Sequence, residues 1–188
     1  AKLGSSVAIS GSAAVIGAPH YGDHGAVFVF RQTPNADPDQ DPVWELESHI
    51  EAPGFETGAD FGVSIAISGE TLIVGAPGHN RGAGAAYIYQ GLSGQWALQD
   101  ELVGGAGDRL GTSVAIGASH AAAAAPGAEA VFLYEERDGV WTFDAKLAAP
   151  VSGVEFGAAV HLDSTSLLVG APGFGGGLVY RYTHAESA

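Results

Sequence analysis

The sequence predicts an all-β protein: a β-propeller of four blades, each with four antiparallel strands, the last blade lacking its outer strand. Three observations carry this prediction. A Leu-Gly or Phe-Gly pair occurs four times, at Leu3-Gly4, Phe61-Gly62, Leu110-Gly111 and Phe156-Gly157. Thirteen residues after each glycine stands Gly-Ala-Pro or a variant of it: Gly17-Ala18-Pro19, Gly75-Ala76-Pro77, Ala124-Ala125-Pro126 and Gly170-Ala171-Pro172. The four glycines lie 58, 49 and 46 residues apart, close to the roughly 40–50 residues of a four-stranded blade. The repeats are therefore drawn as residues 1–58, 59–107, 108–153 and 154–188, all within a single propeller or partial propeller.

Each element follows in order. The first strand of a unit is Ser6–Ile9 and its equivalents Ser64–Ile67 and Ser113–Ile116, apolar on both alternating faces, as expected of a strand buried on two sides. The second strand ends in the Gly-Ala-Pro motif. In the third repeat it is the run Ala121–Ala125, whose alanines favour helix; its register, in line with Ala14–Gly17 and Leu72–Gly75, outweighs that propensity. The third strand is the apolar and aromatic run Ala26–Phe30, Ala85–Tyr89, Ala130–Tyr134 or Leu178–Tyr182. The fourth begins at Trp44, Trp96 or Trp141, with apolar residues Trp44, Leu46 and Ile50 of one parity opposite Glu45, Glu47 and His49. Such alternation marks a strand with one face in water. The recurrence of the tryptophans at one repeat position points to packing between neighbouring blades.

With these motifs in place, the chain resembles the FG-GAP repeat family, the blades of integrin-alpha-type propellers and of many bacterial surface and secreted proteins. The stretch Phe61-Gly-Val-Ser-Ile-Ala-Ile-Ser-Gly, then Ile73-Val-Gly-Ala-Pro and Ala85-Ala-Tyr-Ile-Tyr, carries the likeness most closely. The resemblance implies a non-catalytic interaction or adhesion module placed outside the cell, at its surface or in the periplasm. It also implies where calcium would bind, in an Asp-x-Asp-x-Asp-Gly hairpin between the first two strands. Those hairpins here read Ser10-Gly11-Ser12, Ser68-Gly69-Glu70, Gly117-Ala118-Ser119-His120 and Asp163-Ser164-Thr165. None offers more than one carboxylate, so no integrin-type calcium site is expected.

Composition excludes several function classes. The 188 residues contain no cysteine, which removes disulfides, thiolate metal sites and a cysteine nucleophile. Seven Lys and Arg against 21 Asp and Glu give a net charge of −14, which argues against nucleic acid. An apolar run of five residues such as Ala121–Ala125, which none exceeds, is far too short for a membrane-spanning helix. The acidity fits either a high-salt habitat or the solubility of an exported protein.

Candidate sites sort by the two ends of the blades. On the side of the second connections and inter-blade links, His20, Tyr21, Asp23 and His24 sit within five residues, and His79 and Arg81 follow in the next repeat. Phe174 occupies the corresponding connection of the fourth. These residues are read as part of a ligand surface for a protein or carbohydrate partner; a transition metal on His20, Asp23 and His24 is the competing reading. On the other side, Asp37, Asp39, Asp41 and Glu45 have calcium-loop offsets, but Pro42 stands where such a loop wants glycine. A solvated acidic loop is the competing reading there.

Catalysis gains no support. The Gly-x-Ser triplets at Ser6, Ser64 and Ser113 lack the second glycine of a nucleophile turn, and their repetition argues for structural hydroxyls. No resident cofactor is expected. Leu178–Tyr182 is left as an open edge, with Arg181 where Val29, Ile88 and Leu133 stand in the other repeats, a charge that suits a terminal edge. Its completion is expected from residues upstream of Ala1, from further blades or from a second chain, which makes a homo-oligomer or larger complex the second functional reading. A metal-dependent hydrolase is the third and weakest.

Overall fold

The computed structural model describes the whole chain except Ala1, Ala36, Pro38, Ser164, Phe174 and His184–Ala188. Its described residues form four antiparallel sheets in a propeller-like arrangement. The first holds β1 (Ser6–Ser10), β2 (Ala13–Ala18), β3 (Ala26–Thr33) and β4 (Val43–Glu51); the second β5 (Ser64–Ser68), β6 (Thr71–Ala76), β7 (Ala85–Leu92) and β8 (Gln95–Val103). The third holds β9 (Val114–Ile116), β10 (His120–Ala125), β11 (Ala130–Arg137) and β12 (Val140–Ala148). The fourth has only β13 (Ala159–Leu162), β14 (Ser166–Ala171) and β15 (Leu178–Thr183). Each sheet is a simple meander in sequence order. The alanine run is a strand, as its register requires: β10 pairs with both β9 and β11, and tertiary pairing overrides helix propensity.

First strands lie next to one another across the sheets, β1 by β5, β5 by β9 and β9 by β13. The sheets meet face to face, and three apolar clusters fill the three gaps. Between sheets one and two, Val15, Val27, Val29 and Ile50 pack on Phe61, Ile65, Leu72, Val74, Tyr87 and Tyr89. The second gap seats Ile73, Ile88 and Leu102 against Leu110, Val114, Tyr134 and Trp141, and the third seats Val131 and Leu133 against Phe156, Leu167, Val169 and Tyr182. The Phe or Leu of each motif pair after the first is almost wholly buried, Phe61 and Phe156 at 0% and Leu110 at 1% exposure. It is the plug of its interface.

The glycine of Gly-Ala-Pro has a specific physical cause. Ser6 Oγ donates to the Gly62 carbonyl of the next repeat, and Ser64 Oγ to that of Gly111, both at 2.7 Å. A Cβ on Gly17 or Gly75 would fall 2.0 Å from that carbonyl oxygen and 2.2 Å from the serine Oγ, so these hydrogen bonds exist only where the facing residue has no side chain. In the third repeat the facing residue is Ala124. There Ser113 Oγ instead accepts from the Val160 backbone N–H at 3.0 Å. The repeated serines are thus bolts between sheets.

One expectation about the fourth strands needs correction. Each carries a β-bulge at the same place: Val29 pairs with Ser48 but Phe30 with Leu46, Ile88 with Asp100 but Tyr89 with Leu98, Leu133 with Ala145 but Tyr134 with Phe143. Glu47, Gln99 and Asp144 are the extra residues. A bulge flips the alternation beyond it. Hence Trp96 joins the cluster in the gap before its sheet while Leu102 joins the gap after it, and Trp141 and Leu147 divide likewise. The single parity read from Trp44, Leu46 and Ile50 does not hold.

The two end faces of the row are uncovered. Val7 and Ile9 of β1 are 71% and 66% exposed, whereas their counterparts Val114 and Ile116 are buried by the preceding sheet. Trp44, equivalent to Trp96 and Trp141, is likewise exposed. At the opposite end, Val179 is 70% exposed.

Candidate binding surface

Second connections and inter-sheet links gather at one end of the row and are held together by backbone hydrogen bonds. Gly58 N–H donates to the Asp23 carbonyl and Phe61 N–H to that of His24; Gly25 and Phe61 form a short parallel bridge. The second gap repeats the pattern, with Arg109 and Leu110 N–H donating to Gly82 and Ala83 and a bridge between Gly84 and Leu110. Gly127 N–H reaches Asp108, and Gly173 N–H reaches Val154. Main chain satisfied in this way leaves side chains free to vary on a fixed frame.

Several side chains named from the sequence stand on that frame. His20, Tyr21, Asp23 and Arg81 are exposed, and His24 and His79 are half-buried. His20 Nδ1 lies 3.7 Å from Asp60 Oδ1 of the next link. Tyr21 rests edge-on against Phe28 and His49, with centroids 5.3 and 5.2 Å apart, and His49 stacks on Phe28 at 4.7 Å.

His79 occupies the matching place one repeat later, edge-on to Tyr87 at 6.2 Å. Its Nδ1 is 2.7 Å from Glu56 Oε2 and its Nε2 3.8 Å from Glu101 Oε1. The short contact requires Nδ1 to carry a hydrogen and donate to the carboxylate. Glu56 also accepts from the Asn80 backbone N–H at 2.8 Å. Burial first, and the Glu101 carboxylate second, push the Tyr87 hydroxyl well above the ordinary tyrosine range. Asn80 and Arg81 both adopt the left-handed backbone region, φ 48° and 58°, a conformation non-glycine residues take at a cost when surroundings fix it. Arg81 is exposed there.

Among the described residues no group of three or more His, Asp and Glu side chains gathers to hold a metal ion. Phe174 lies outside the described residues. At the other end, Asp37 Oδ1 accepts from the Asp39 N–H at 3.1 Å, Asn35 Nδ2 donates to the Asp41 carbonyl, and Glu45 Oε2 lies 3.4 Å from the Thr33 hydroxyl. These contacts belong to a loop folded on itself.

Sequence reasoning missed Glu56, Asp60 and Glu101, which are brought to the histidines from other strands and links. It also missed a clamp on the opposite end of the first gap. Arg31 Nε donates to Glu47 Oε1 at 2.8 Å and Nη1 to Glu70 Oε1 at 3.0 Å, joining sheet one to the β5–β6 hairpin. Hydrogen bonding from Arg31 holds the Glu47 carboxyl below its usual range.

The model of the FG-GAP repeat family matches residues 1–30 and 44–89, that is, the strands from β1 through β7 and the first interface between sheets. The chain carries FG-GAP repeats. No curated protein matches it. Repeats of this family are generally binding modules, and among the described residues no helix is long and apolar enough to cross a membrane. The Phe-Gly and Gly-Ala-Pro elements of the family pattern are the plug and the side-chain-free seat of the serine bolt seen above.

Proposed function

We propose that this protein is a non-catalytic β-propeller interaction module, working outside the cell or at its surface, that binds a protein or carbohydrate partner through the second connections and links. The observation that carries this reading is the backbone-bonded end of the row, which displays His20, Tyr21, Asp23 and Arg81 to solvent on a rigid frame. Aromatic, cationic and acidic groups fixed side by side suit a polar partner: Arg81 for carboxylates, Tyr21 for an apolar or sugar face, Asp23 for hydroxyl or ammonium donors. The test is binding of the purified chain to a glycan array and to a panel of extracellular proteins, compared with the triple variant His20→Ala, Tyr21→Ala and Arg81→Ala. A ligand found for the parent should lose at least tenfold in affinity for the variant at unchanged melting temperature. Equal binding, or no ligand on either platform, contradicts the proposal.

A second reading rests on its own observation. Val7 and Ile9 at one end of the row and Val179 at the other are exposed apolar side chains at positions that the internal sheets cover. Exposed apolar patches of this kind mark assembly surfaces. The protein then acts as a subunit of a homo-oligomer or larger complex completed at its end faces and at the open edge of β15. Sedimentation of the chain over a range of concentrations tests it; a monomer at every concentration, in the presence and absence of its partner, counts against it.

A further inference from the structure

At the hairpin end of the gap between sheets one and two, Arg31 donates to both Glu47 and Glu70, and the Trp96 Nε1–H donates to Glu47 Oε2 at 3.4 Å. Strand register gives the counterparts of these residues one gap later. Gln90 follows Ala85–Tyr89 as Arg31 follows Ala26–Phe30, and Gln99 is the bulged residue of β8 as Glu47 is of β4. Ser119 takes the place of Glu70 in the two-residue turn before the second strand. Trp141 keeps the place of Trp96. Three charged side chains have thus become two amides and a hydroxyl.

Where the clamp is missing, the gap between sheets two and three holds a cavity of about 320 Å³, at the lower end of the range of small-molecule sites. Thr71, Gln90, Gln99, Glu136 and Trp141 line it. Both glutamines are exposed, so a solute can reach them. Thr71 Oγ1 donates to Gln90 Oε1 at 3.1 Å, and Glu136 Oε1 accepts from the Gly139 N–H at 2.6 Å. Among the described residues, the Gln99 amide and the Trp141 Nε1–H make no hydrogen bond.

The chemistry of this wall selects a ligand class. A cation would meet one carboxylate, Glu136, where Arg31 meets two. An anion would meet that same carboxylate in a chain of net charge −14. A wholly apolar ligand would leave the amides and the indole N–H unpaired. A neutral ring bearing several hydroxyls satisfies them all: the glutamines offer donors and acceptors, Thr71 and Glu136 offer acceptors, and the indole offers an N–H beside an apolar surface. We infer that the gap between sheets two and three is a binding site for one neutral sugar residue, separate from the surface that carries His20 and Arg81 at the other end of the row.

Calorimetric titration of the full chain with glucose, galactose, mannose, fucose and N-acetylglucosamine, each carried to millimolar concentration, tests this site. At least one should bind saturably, and Gln99→Ala should weaken it at least fivefold at unchanged melting temperature. Rebuilding the clamp with Gln90→Arg, Gln99→Glu and Ser119→Glu together should abolish binding while the melting temperature holds or rises. The triple variant His20→Ala, Tyr21→Ala and Arg81→Ala should bind the sugar as the parent does. No binding of any of these sugars, or undiminished binding by both the Gln99→Ala and the rebuilt-clamp proteins, overturns the site. Saturable binding of free arginine in place of the sugars overturns the ligand class. Loss of sugar binding in the triple variant alone assigns the sugar to the other end of the row and overturns the site as well.

Discussion

Replacing Gly75 by alanine tests the reason for the repeat motif. The new Cβ would lie 2.0 Å from the Gly111 oxygen and 2.2 Å from Ser64 Oγ, against the more than 3 Å that a carbon and an oxygen need, so sheets two and three must separate. Separation breaks the Ser64–Gly111 hydrogen bond, worth about 1–1.5 kcal/mol. It also strains a packed gap, typically about 1–3 kcal/mol. Reduced freedom of the unfolded chain returns roughly 0.4–1 kcal/mol. The net loss expected is about 1–4 kcal/mol, a fall in Tm of roughly 2–16 °C at this chain length, read from urea unfolding and from thermal melting. Ser64→Ala added to Gly75→Ala should cost about 1 kcal/mol less than it does alone, because its bond is already gone. A loss below about 0.5 kcal/mol for Gly75→Ala, or full additivity of the pair, refutes the bolt.

Other expectations follow from the same geometry. Glu47→Gln should cost about 1–2 kcal/mol at pH 7 through the Arg31 clamp. Because the folded carboxyl titrates below the unfolded one, that contribution is present above the unfolded carboxylate range. It is lost as pH falls through the lower folded value, so parent and variant should converge in stability as the solution is acidified through and below the ordinary carboxylate range; a constant difference contradicts the clamp. Burial pushes the Tyr134 hydroxyl up to about 12 and holds Tyr87 and Tyr89 high as well. Phenolate absorbance from these three should therefore appear only at strongly alkaline pH; their titration near pH 10 in the folded state contradicts the packing. Since Asp37 and Glu45 are engaged within their own loop and with Thr33, millimolar calcium against EDTA should leave Tm unchanged. A rise of several degrees, abolished by Asp39→Asn, would establish calcium there instead.

Strand positions were readable because every unit repeats the same offsets, and four copies of an offset carry more information than any single stretch of propensity. That is how the alanines of β10 were placed. What could not be read depends on contacts between repeats. The bulge at Glu47, Gln99 and Asp144 leaves no mark in alternation, since Trp and Leu on one side of it and Ile or Leu on the other remain in register with a straight strand. His79 was visible as a loop histidine, but its partners Glu56 and Glu101 come from a link and from β8 and announce nothing by spacing. Ala124 in place of glycine could have signalled a changed bond at Ser113, had the purpose of the glycine been known beforehand.

The displayed end of the row is the central claim, and a hydrogen-exchange footprint with a ligand selected on the arrays tests it most directly. Protection is expected in the loops spanning residues 19–25 and 77–84 and in the link 52–63, with the hairpins at Gly11 and Gly69 unchanged. Protection confined to those hairpins, or spread along the end faces at Val7 and Val179, would contradict it.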